Sequence, residues 1–287
     1  YSLRLKPYIE RFSRGDTEMM LKMDTPFIAV DYNSYLYALR ERIIQAAGVV
    51  GASDVDVDRL RDRNSKLKAA INAHLWDEAD GFYYDADPRD MKRSEIKCIA
   101  GFAPLYAGIA DNEQAEKLLG HLTNPSEFGT RYPCPSISMD MPEVDPSLPT
   151  YGGDSIITSG IWFTVEGLIR YGYDDLAAKY ILSAIEMVTK GGPNSAYSYN
   201  SVTGECNLDR HTLASQSVIL TDLICKYIIG LNPIMGCGVE VKPLALPFST
   251  IESFSFGPYR YHDKTISVKW SKRSGYQLSA TMENQQS

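Results

Sequence analysis

The chain has 287 residues, of which 44% are hydrophobic, and it carries a net charge of −7 with both signs mixed along its length. This length and apolar content allow one large domain, or one domain with a small appendage, around a sizeable core. The acidic balance argues against nucleic acid or an anionic membrane as a partner, and no apolar run approaches the roughly 18 residues that a membrane span requires.

The start of the chain and its cysteines give information on the cellular compartment and on possible metal or cofactor binding. The sequence begins at Tyr1 without the charged-then-apolar layout of a signal peptide, so we expect a removed N-terminus or a longer protein, with a weak preference for the cytoplasm. The five cysteines are widely spaced and form no CxxC pair, which favours buried free thiols over a metal site. We predict neither a metal nor another cofactor.

The first part of the chain predicts a pair of helices. Residues 1–30 are the least regular, with a short helix predicted near the start. From Asp31, which like Asn33 can cap a helix, apolar residues recur at helical spacing up to Gly51. The apolar face comprises Tyr35, Leu36, Leu39, Ile43, Ile44 and Ala47. Residues 54–76 begin with aspartate caps and carry apolar residues at the same spacing, which predicts a second helix.

The middle of the chain alternates helices with loops that are rich in aromatic and acidic residues. Residues 75–87 change from helical period to a turn at Asp80-Gly81, followed by a short strand. Residues 98–124 predict an apolar helix and then an amphipathic one. The next stretch, 125–150, holds six prolines, and a loop of that length is typical of a functional segment or a lid.

The stretch from Tyr151 to Tyr173 is the one around which the rest is organised. A Gly-Gly pair leads to Asp154 and Ser155, which can cap a helix, and a broad apolar stripe at helical period follows up to Gly172. We therefore predict one long, largely buried helix that starts at this cap.

Two further helices and a β-rich tail complete the pattern. Helices are predicted over 174–190 and 211–231, with a turn-rich loop at 191–207 between them. The segments that follow alternate in polarity or are β-branched and lie between turns, which predicts a small β appendage. We predict a helical domain over 1–235 and a β-rich tail over 236–287.

The repeated order of helix, helix and loop predicts the fold class. Antiparallel helical hairpins that follow one another and close into a ring form an α/α toroid, so we predict a mainly α protein of this six-hairpin type with a C-terminal β appendage. The helices number about seven, too few for six pairs. The shortfall favours a partial ring or a missing N-terminal half.

Several segments, in order along the chain, resemble the glucosidase and trehalase clan of glycoside hydrolases, in particular its family-63-like branch with the mannosylglycerate hydrolases. The matching segments are VDYNSYLY (30–37), LWDEADGFYYD (75–85), GFAPLYAGIAD (101–111), EFGTRYPCPSIS (127–138), IWFTVEGLIRYGY (161–173) and YNSVTGE (199–205). The ending resembles the β tail found after such toroids. The resemblance implies the C-terminal part of a catalytic toroid that binds a mono- or oligosaccharide.

The resemblance also implies a mechanism. Enzymes of this kind are typically inverting: one carboxylic acid protonates the leaving oxygen, and a carboxylate across the pocket activates water. The position of the family's base is occupied here by Tyr197, and a phenol is a poor base at neutral pH. The Trp and Arg that follow the family's pocket tyrosine are replaced by Gly152 and Gly153, and a new acid, Asp154, comes next.

These substitutions lead to the predicted catalytic residues. We predict Asp154 as the base-side carboxylate, although a plain helix cap is the competing interpretation. The family's acid segment has no good match, and the nearest candidates for the general acid are Asp24 and Asp16.

The predicted substrate-binding residues are mostly aromatic, because flat amphipathic rings suit the apolar faces and hydroxyl edges of sugars. They are Tyr151, Trp162, Tyr197, Tyr199 and His211. For Trp162, packing in the core is an equally good interpretation. For His211, the competing interpretation is a helix cap or a buried hydrogen bond.

The sequence thus predicts an inverting glycoside hydrolase that acts on an α-linked, glucoside-type sugar. Two alternatives stay open. The loss of the base and of the Trp-Arg pair fits a sugar-binding protein that has lost its activity. A fragment of a larger glycosidase would instead find its acid in an N-terminal partner segment, and a homo-oligomer is also open.

Overall fold

The computed structural model describes residues 4, 27–142, 144, 155–156, 158–190, 196, 198–206, 214–234, 238–246, 251–261 and 264–282. The chain divides into two compact units, Tyr1–Leu220 and Thr221–Ser287. This division lies earlier than the boundary predicted after residue 235. The reason is that Ile224 and Ile229, at the end of the last helical segment, pack into the β core of the second unit.

The first unit is built from helices. They are α1 (Val30–Val50), α2 (Val57–His74), α3 (Ala103–Ala107, preceded by a 3₁₀ turn at Ile99–Phe102), α4 (Asn112–Thr123), α5 (Thr158–Arg170) and α6 (Asp174–Lys190). A further helix, α7 (Ala214–Leu223), spans the boundary between the units and continues as a π-helical turn at Ile224–Ile228. The mainly α class predicted from the sequence is confirmed. Among the described residues no helix has the length and hydropathy of a membrane span.

The helices pack in two layers. In the first layer α1 contacts α3, and α3 contacts α5; in the second, α2 pairs with α1 and α6 pairs with α5. The approach of α3 to α5 is close at Gly167, where a Cβ atom would lie 2.8 Å from the Cβ of Leu105. A side chain at this position would therefore separate the two helices. Successive hairpins with one contacting layer are the arrangement expected of an α/α toroid.

Local caps explain several helix ends. Asp56 accepts a hydrogen bond from the Arg59 N–H and caps α2 as predicted. Asp111 and Gln114 form a capping box at the start of α4. The cap predicted for α1 is wrong, because α1 begins at Val30 after Ala29, which makes no side-chain cap, and Asp31 lies inside the helix.

Short two-stranded ribbons connect the helices. Strands β1 (Trp76–Asp77) and β2 (Phe82–Tyr83) form a hairpin around the predicted turn at Asp80-Gly81; the sequence predicts β2 but not β1. Strands β3 (Ser155–Ile156) and β4 (Tyr199–Asn200) form a second ribbon. The predicted start of the long helix at Asp154 and Ser155 is therefore wrong: Ser155 and Ile156 pair with a distant strand, and α5 begins only at Thr158.

The second unit contains the predicted β appendage. Strands β5 (Leu231–Ile234) and β6 (Gly238–Val241) form a ribbon, and β7 (Ser253–Tyr261), β8 (Lys264–Ser271) and β9 (Gly275–Met282) form an antiparallel sheet in that order. The core of this unit consists of Ile229, Leu231, Ile266 and Val268. The ring of Phe254 stacks on Trp270, with centroids 5.7 Å apart, and extends that core across the sheet.

Candidate functional site

The candidate site lies where loops precede the first-layer helices α1, α3 and α5. Four contacts join these loops. Ile28 bridges to Ala86, and Cys98 bridges to Ile137. The Tyr132 N–H donates to the carbonyl of Ser201 at 2.9 Å. The β3–β4 ribbon adds the fourth contact. One end of the helical layer therefore carries a connected platform of loops.

A buried ion cluster fixes one side of this platform. The Arg4 guanidinium donates to both oxygens of Asp85, at 2.6 and 2.7 Å, and to both oxygens of Asp31, at 2.8 and 2.9 Å. All three side chains are 2–3% exposed. Burial by itself lowers the pKa of Arg4, but the hydrogen bonds to Asp85 and Asp31 outweigh it and raise that pKa. Because these carboxylates are bound on both oxygens, they position the loops and are poor candidates for acid–base chemistry.

A second polar network joins the hairpin at 76–83 to the loop after α4. The Lys97 ammonium lies 3.1 Å from Glu127 and 3.2 Å from Asp80. Nδ1 of His121 lies 2.5 Å from the other Glu127 oxygen, and Nε2 lies 2.8 Å from the Asp80 carbonyl. The ring of Phe82 packs edge-on against His121 and closes the network on its apolar side. Lys97 and Glu127 are nearly buried, so a partner for each charge is required.

The YNSVTGE segment is a tight hairpin. The Asn200 side chain accepts hydrogen bonds from the N–H groups of Val202 and Thr203, and the Gly204 N–H donates to the Asn200 carbonyl. Gly204 has a φ of +75°, and a Cβ atom there would lie 2.5 Å from the ring of Tyr132. Only glycine suits both the backbone conformation and this contact.

Tyr132 connects this hairpin to the second layer of helices. Its hydroxyl donates to Glu186 at 3.1 Å and accepts from the Lys190 ammonium, both on α6. Arg131 also binds Glu186, at 2.7 Å. The hairpin is therefore held in place by a helix and not by the loop alone.

Most of the predicted site residues lie outside the described residues. They are Asp16, Asp24, Tyr151, Asp154, Tyr197 and His211. Their chain neighbours are described: Ser155, which follows Asp154, pairs with Asn200, and both Ala196 and Ser198, which flank Tyr197, are buried.

Trp162 and Tyr199 are described. Trp162 lies in α5 and is partly exposed, with its ring 5.4 Å from that of Tyr106. Tyr199 is 1% exposed, and its hydroxyl accepts a hydrogen bond from the Ala196 N–H at 2.8 Å. Burial raises the pKa of Tyr199. Sugar contact by either ring stays a prediction, and Tyr199 has in addition a structural role in holding residue 196.

Two buried thiols lie in the same region. Burial raises the pKa of Cys98 and of Cys134 to about 12, so both are thiols at neutral pH. Both are free, as the spacing predicted. In the part of the chain that the structure describes, no three His, Cys, Asp or Glu side chains are arranged to hold a metal ion.

Sequence reasoning missed the Arg4 cluster. Asp31 and Asp85 did carry a signal, since each is an acid inside one of the segments that resemble the family. Arg4 carried no such signal, because it lies 27 residues from Asp31 and 81 residues from Asp85, in the least regular part of the sequence.

Comparison with known proteins identifies the family. Residues 7–216 match the mannosylglycerate hydrolase MGH1-like glycoside hydrolase domain. The chain belongs to this glycoside hydrolase family. The predicted resemblance is thereby confirmed.

Individual proteins are also similar to this chain. An uncharacterized protein of Borreliella burgdorferi is 29% identical over 156 residues, which is 54% of this chain and 32% of that protein. The crystal structure of a family-63 mannosylglycerate hydrolase from Thermus thermophilus, in complex with Tris, aligns with a TM-score of 0.61 and 24% identity over 70% of this chain and 47% of that one. Neutral trehalase Nth1 from Saccharomyces cerevisiae aligns with a TM-score of 0.55 and 18% identity over 68% of this chain and 38% of that one.

The two solved structures confirm the α/α-toroid fold. The chain spans about a third of the length of the curated relative cited above, and less than half of each solved structure cited with it.

Proposed function

We propose that this protein is an inverting glycoside hydrolase that acts on an α-linked, glucoside-type mono- or oligosaccharide. Membership of the glycoside hydrolase family supports the reaction class. The observation that carries the proposal is the β3–β4 ribbon, in which Ser155 pairs with Asn200 and Ile156 with Tyr199. It joins the segment that follows Asp154 to the segment that follows Tyr197, the position of the family's base.

The roles follow from the chemistry of inversion. Tyr197 is unsuited as a base, whereas a carboxylate can activate water across the pocket from a general acid. Asp154 directly precedes Ser155 in the chain, and Ser155 pairs with the segment that follows the family's base position, so we assign Asp154 the base-side role. Asp24 or Asp16 is assigned the role of general acid.

The sugar-binding residues in this proposal are Tyr151, Trp162, Tyr197, Tyr199 and His211. Partial exposure of Trp162, and the support of its ring by Tyr106, favour a platform for a sugar face. Tyr199 is buried, and in addition its hydroxyl holds Ala196, the residue before Tyr197.

Hydrolysis by the purified chain tests this proposal. The panel comprises α- and β-linked disaccharides, aryl glycosides and mannosylglycerate, with products separated by chromatography. Asp154→Asn is compared with Asp54→Asn, a control on an exposed aspartate between α1 and α2. We expect turnover that Asp154→Asn abolishes and Asp54→Asn leaves intact. Full activity of a folded Asp154→Asn variant would remove Asp154 from the mechanism.

The anomeric outcome tests inversion separately. Proton NMR during the first minutes of hydrolysis of an α-linked substrate is expected to show the β-anomer of the product before mutarotation. First appearance of the α-anomer would mean retention, and the two-carboxylate water mechanism would then be wrong for this protein.

A sugar-binding protein without activity is the second candidate. The substitution at Tyr197 and the two glycines before Asp154 favour it. A thermal-shift series with the same sugars separates the two, because binding raises the melting temperature to an extent set by ligand concentration and affinity. Stabilisation without product identifies a binding protein.

A further inference from the structure

The ring of His121 faces an oxygen atom at each of its two nitrogens. Nδ1 lies 2.5 Å from a carboxylate oxygen of Glu127, and Nε2 lies 2.8 Å from the backbone carbonyl of Asp80. A carbonyl oxygen can only accept a hydrogen bond, and so can an ionised carboxylate. A neutral imidazole donates from one nitrogen only, which would leave a lone pair against one of these oxygens. Both contacts are hydrogen bonds only if both ring nitrogens carry a proton.

The other oxygen of Glu127 indicates that this side chain is ionised. It accepts a hydrogen bond from the Lys97 ammonium at 3.1 Å. A proton on Glu127 would weaken this contact, because a hydrogen bond between two charged groups is stronger than one to a neutral acid. We therefore place the proton between the two side chains on His121, and Glu127 remains a carboxylate.

The charges around the ring balance only if His121 is positive. The Lys97 ammonium lies between Glu127 and Asp80, and Asp80 also accepts a hydrogen bond from the Tyr84 hydroxyl. With a neutral His121, this cluster would hold two carboxylates and one cation. Lys97 and Glu127 are only 9% and 10% exposed, so water cannot compensate for an unpaired charge there.

The surrounding elements supply no other cation to replace a protonated His121. The nearby charged side chains of the hairpin and of α4 form pairs of their own, which are Asp77 with Arg93 and Glu78 with Lys117. His121 lies in the last turn of α4, where the helix dipole favours a positive charge. Hydrogen bonding, charge balance and helix position thus all favour the imidazolium.

The same residues hold the platform of loops through their backbones. The N–H of Ser138 donates to the Lys97 carbonyl at 2.9 Å, and the N–H of Met139 donates to the Glu127 carbonyl at 3.1 Å. The Met139 sulfur in turn accepts a hydrogen bond from the Ser201 hydroxyl at 3.7 Å. Because Ser201 follows β4, residues 138–139 connect Lys97 and Glu127 with the hairpin at the candidate site.

We propose that His121 is held as an imidazolium between Glu127 and the Asp80 carbonyl, and that its second proton is a pH-sensitive clamp that fixes residues 138–139 of the platform. Loss of this proton leaves a nitrogen lone pair against the Glu127 carboxylate or the Asp80 carbonyl, and the repulsion loosens Glu127 from α4. The clamp is therefore closed at neutral pH and opens as pH rises. It belongs to the scaffold of this chain and does not depend on the proposed hydrolase activity.

Nitrogen NMR of the full chain with isotope-labelled histidine tests the protonation state. The variant His121→Gln identifies the signals of this ring, and His74 is the internal control because it is exposed, in the last turn of α2. At about pH 8 an exposed imidazole is neutral, since its ordinary pKa is about 6.5. We expect protons on both nitrogens of His121 at this pH and on one nitrogen of His74. An unprotonated nitrogen in the His121 ring at about pH 8 overturns the proposal.

Matched variants test the role of Glu127. In Glu127→Gln the amide can donate to Nδ1, so His121 is expected to be neutral at about pH 8, as His74 is. Hydrogen exchange at the Ser138 and Met139 amides is expected to become about tenfold faster or more, because the loop loses charged hydrogen bonds. Glu116→Gln, on an exposed acid of the same helix, should change neither observation. A Glu127→Gln variant in which either one stays unchanged overturns the proposal.

A pH series tests whether the proton controls the loop. The amide signals of Ser138 and Met139 are expected to shift over the same pH range in which the His121 ring loses its second proton. In His121→Gln this shift is expected to disappear, because glutamine does not titrate. Circular dichroism verifies that the variants fold. Amide signals that stay constant while the ring titrates, or that still shift in His121→Gln, overturn the clamp.

Discussion

The carboxylate of Asp85 accepts a hydrogen bond from the backbone N–H of Val30 at 2.9 Å. A residue from the hairpin region thereby caps the first turn of α1, a role for which the sequence offered Asp31 or Asn33. Asp31 instead binds Arg4, and so does Asp85. The start of α1 therefore depends on a contact between distant segments.

Removal of the cation from this cluster is expected to destabilise the fold severely. Arg4→Met leaves two buried carboxylates without a counter-charge, and breaking a buried ion pair in this way costs about 3–5 kcal/mol. Urea unfolding measures the loss, with Arg42→Met as the control on an exposed arginine. The triple variant Arg4→Met, Asp31→Asn, Asp85→Asn is expected to regain part of the loss. A loss for Arg4→Met no larger than that of the control would contradict a structural role for the cluster.

Gly204, in the YNSVTGE hairpin, and Gly172 allow a matched pair of substitutions. Gly204 and Gly172 have similar φ values, +75° and +80°, but only Gly204 faces a ring, that of Tyr132. Gly172→Ala is expected to cost about 1–2 kcal/mol, the penalty of a left-handed backbone with a Cβ atom. Gly204→Ala is expected to cost about 1–3 kcal/mol more, from overpacking against Tyr132. Thermal unfolding measures both stability losses. Equal losses would show that the Tyr132 ring can move aside without a measurable energetic cost.

Stability at alkaline pH is expected to depend on Tyr171. Burial raises the pKa of Tyr171 to about 12 from an ordinary value of 10, and its hydroxyl donates to the Ala110 carbonyl at 2.6 Å. The unfolded chain loses this proton first, so the stabilising contribution is complete below pH 10 and is lost as pH rises from about 10 to about 12. Tyr171→Phe should therefore show a shallower decline in that range.

The control for this measurement is Tyr32→Phe, because Tyr32 is 70% exposed. Urea midpoints measured in steps from about pH 9 to about pH 12 compare the two variants with the unmodified chain. Parallel declines for all three proteins would contradict the assigned role of Tyr171.

Thiol labelling tests the burial of the platform. With pKa values raised to about 12, Cys98 and Cys134 carry almost no thiolate at mildly alkaline pH. Iodoacetamide followed by mass spectrometry is expected to modify the partly exposed Cys206 well before either of them, and to modify all three in urea. Labelling of Cys134 in the native protein as fast as that of Cys206 would mean that the loop at 132–138 opens readily.

The sequence by itself predicted most of the helices and the presence of a β-rich tail. Apolar residues at helical spacing predicted α1, α2 and α6, aspartate caps predicted the start of α2, and Asp80-Gly81 predicted the turn before β2. These features depend on residues within a few positions of one another, so the local pattern contains them. The family resemblance likewise rested on short segments in a fixed order.

Only the tertiary structure decided three features. The strand at Ser155–Ile156 exists because Tyr199–Asn200 pairs with it, and the Arg4 cluster spans up to 81 residues. Helix α1 shows the apolar period of a core helix, yet Leu36, Leu39 and Ile43 of its predicted apolar face are exposed. Periodicity reports that a helix has an apolar face; whether a neighbour covers that face depends on which other elements are present in space. That is why the sequence predicted an apolar face on α1, whereas only the fold showed which of its residues are covered.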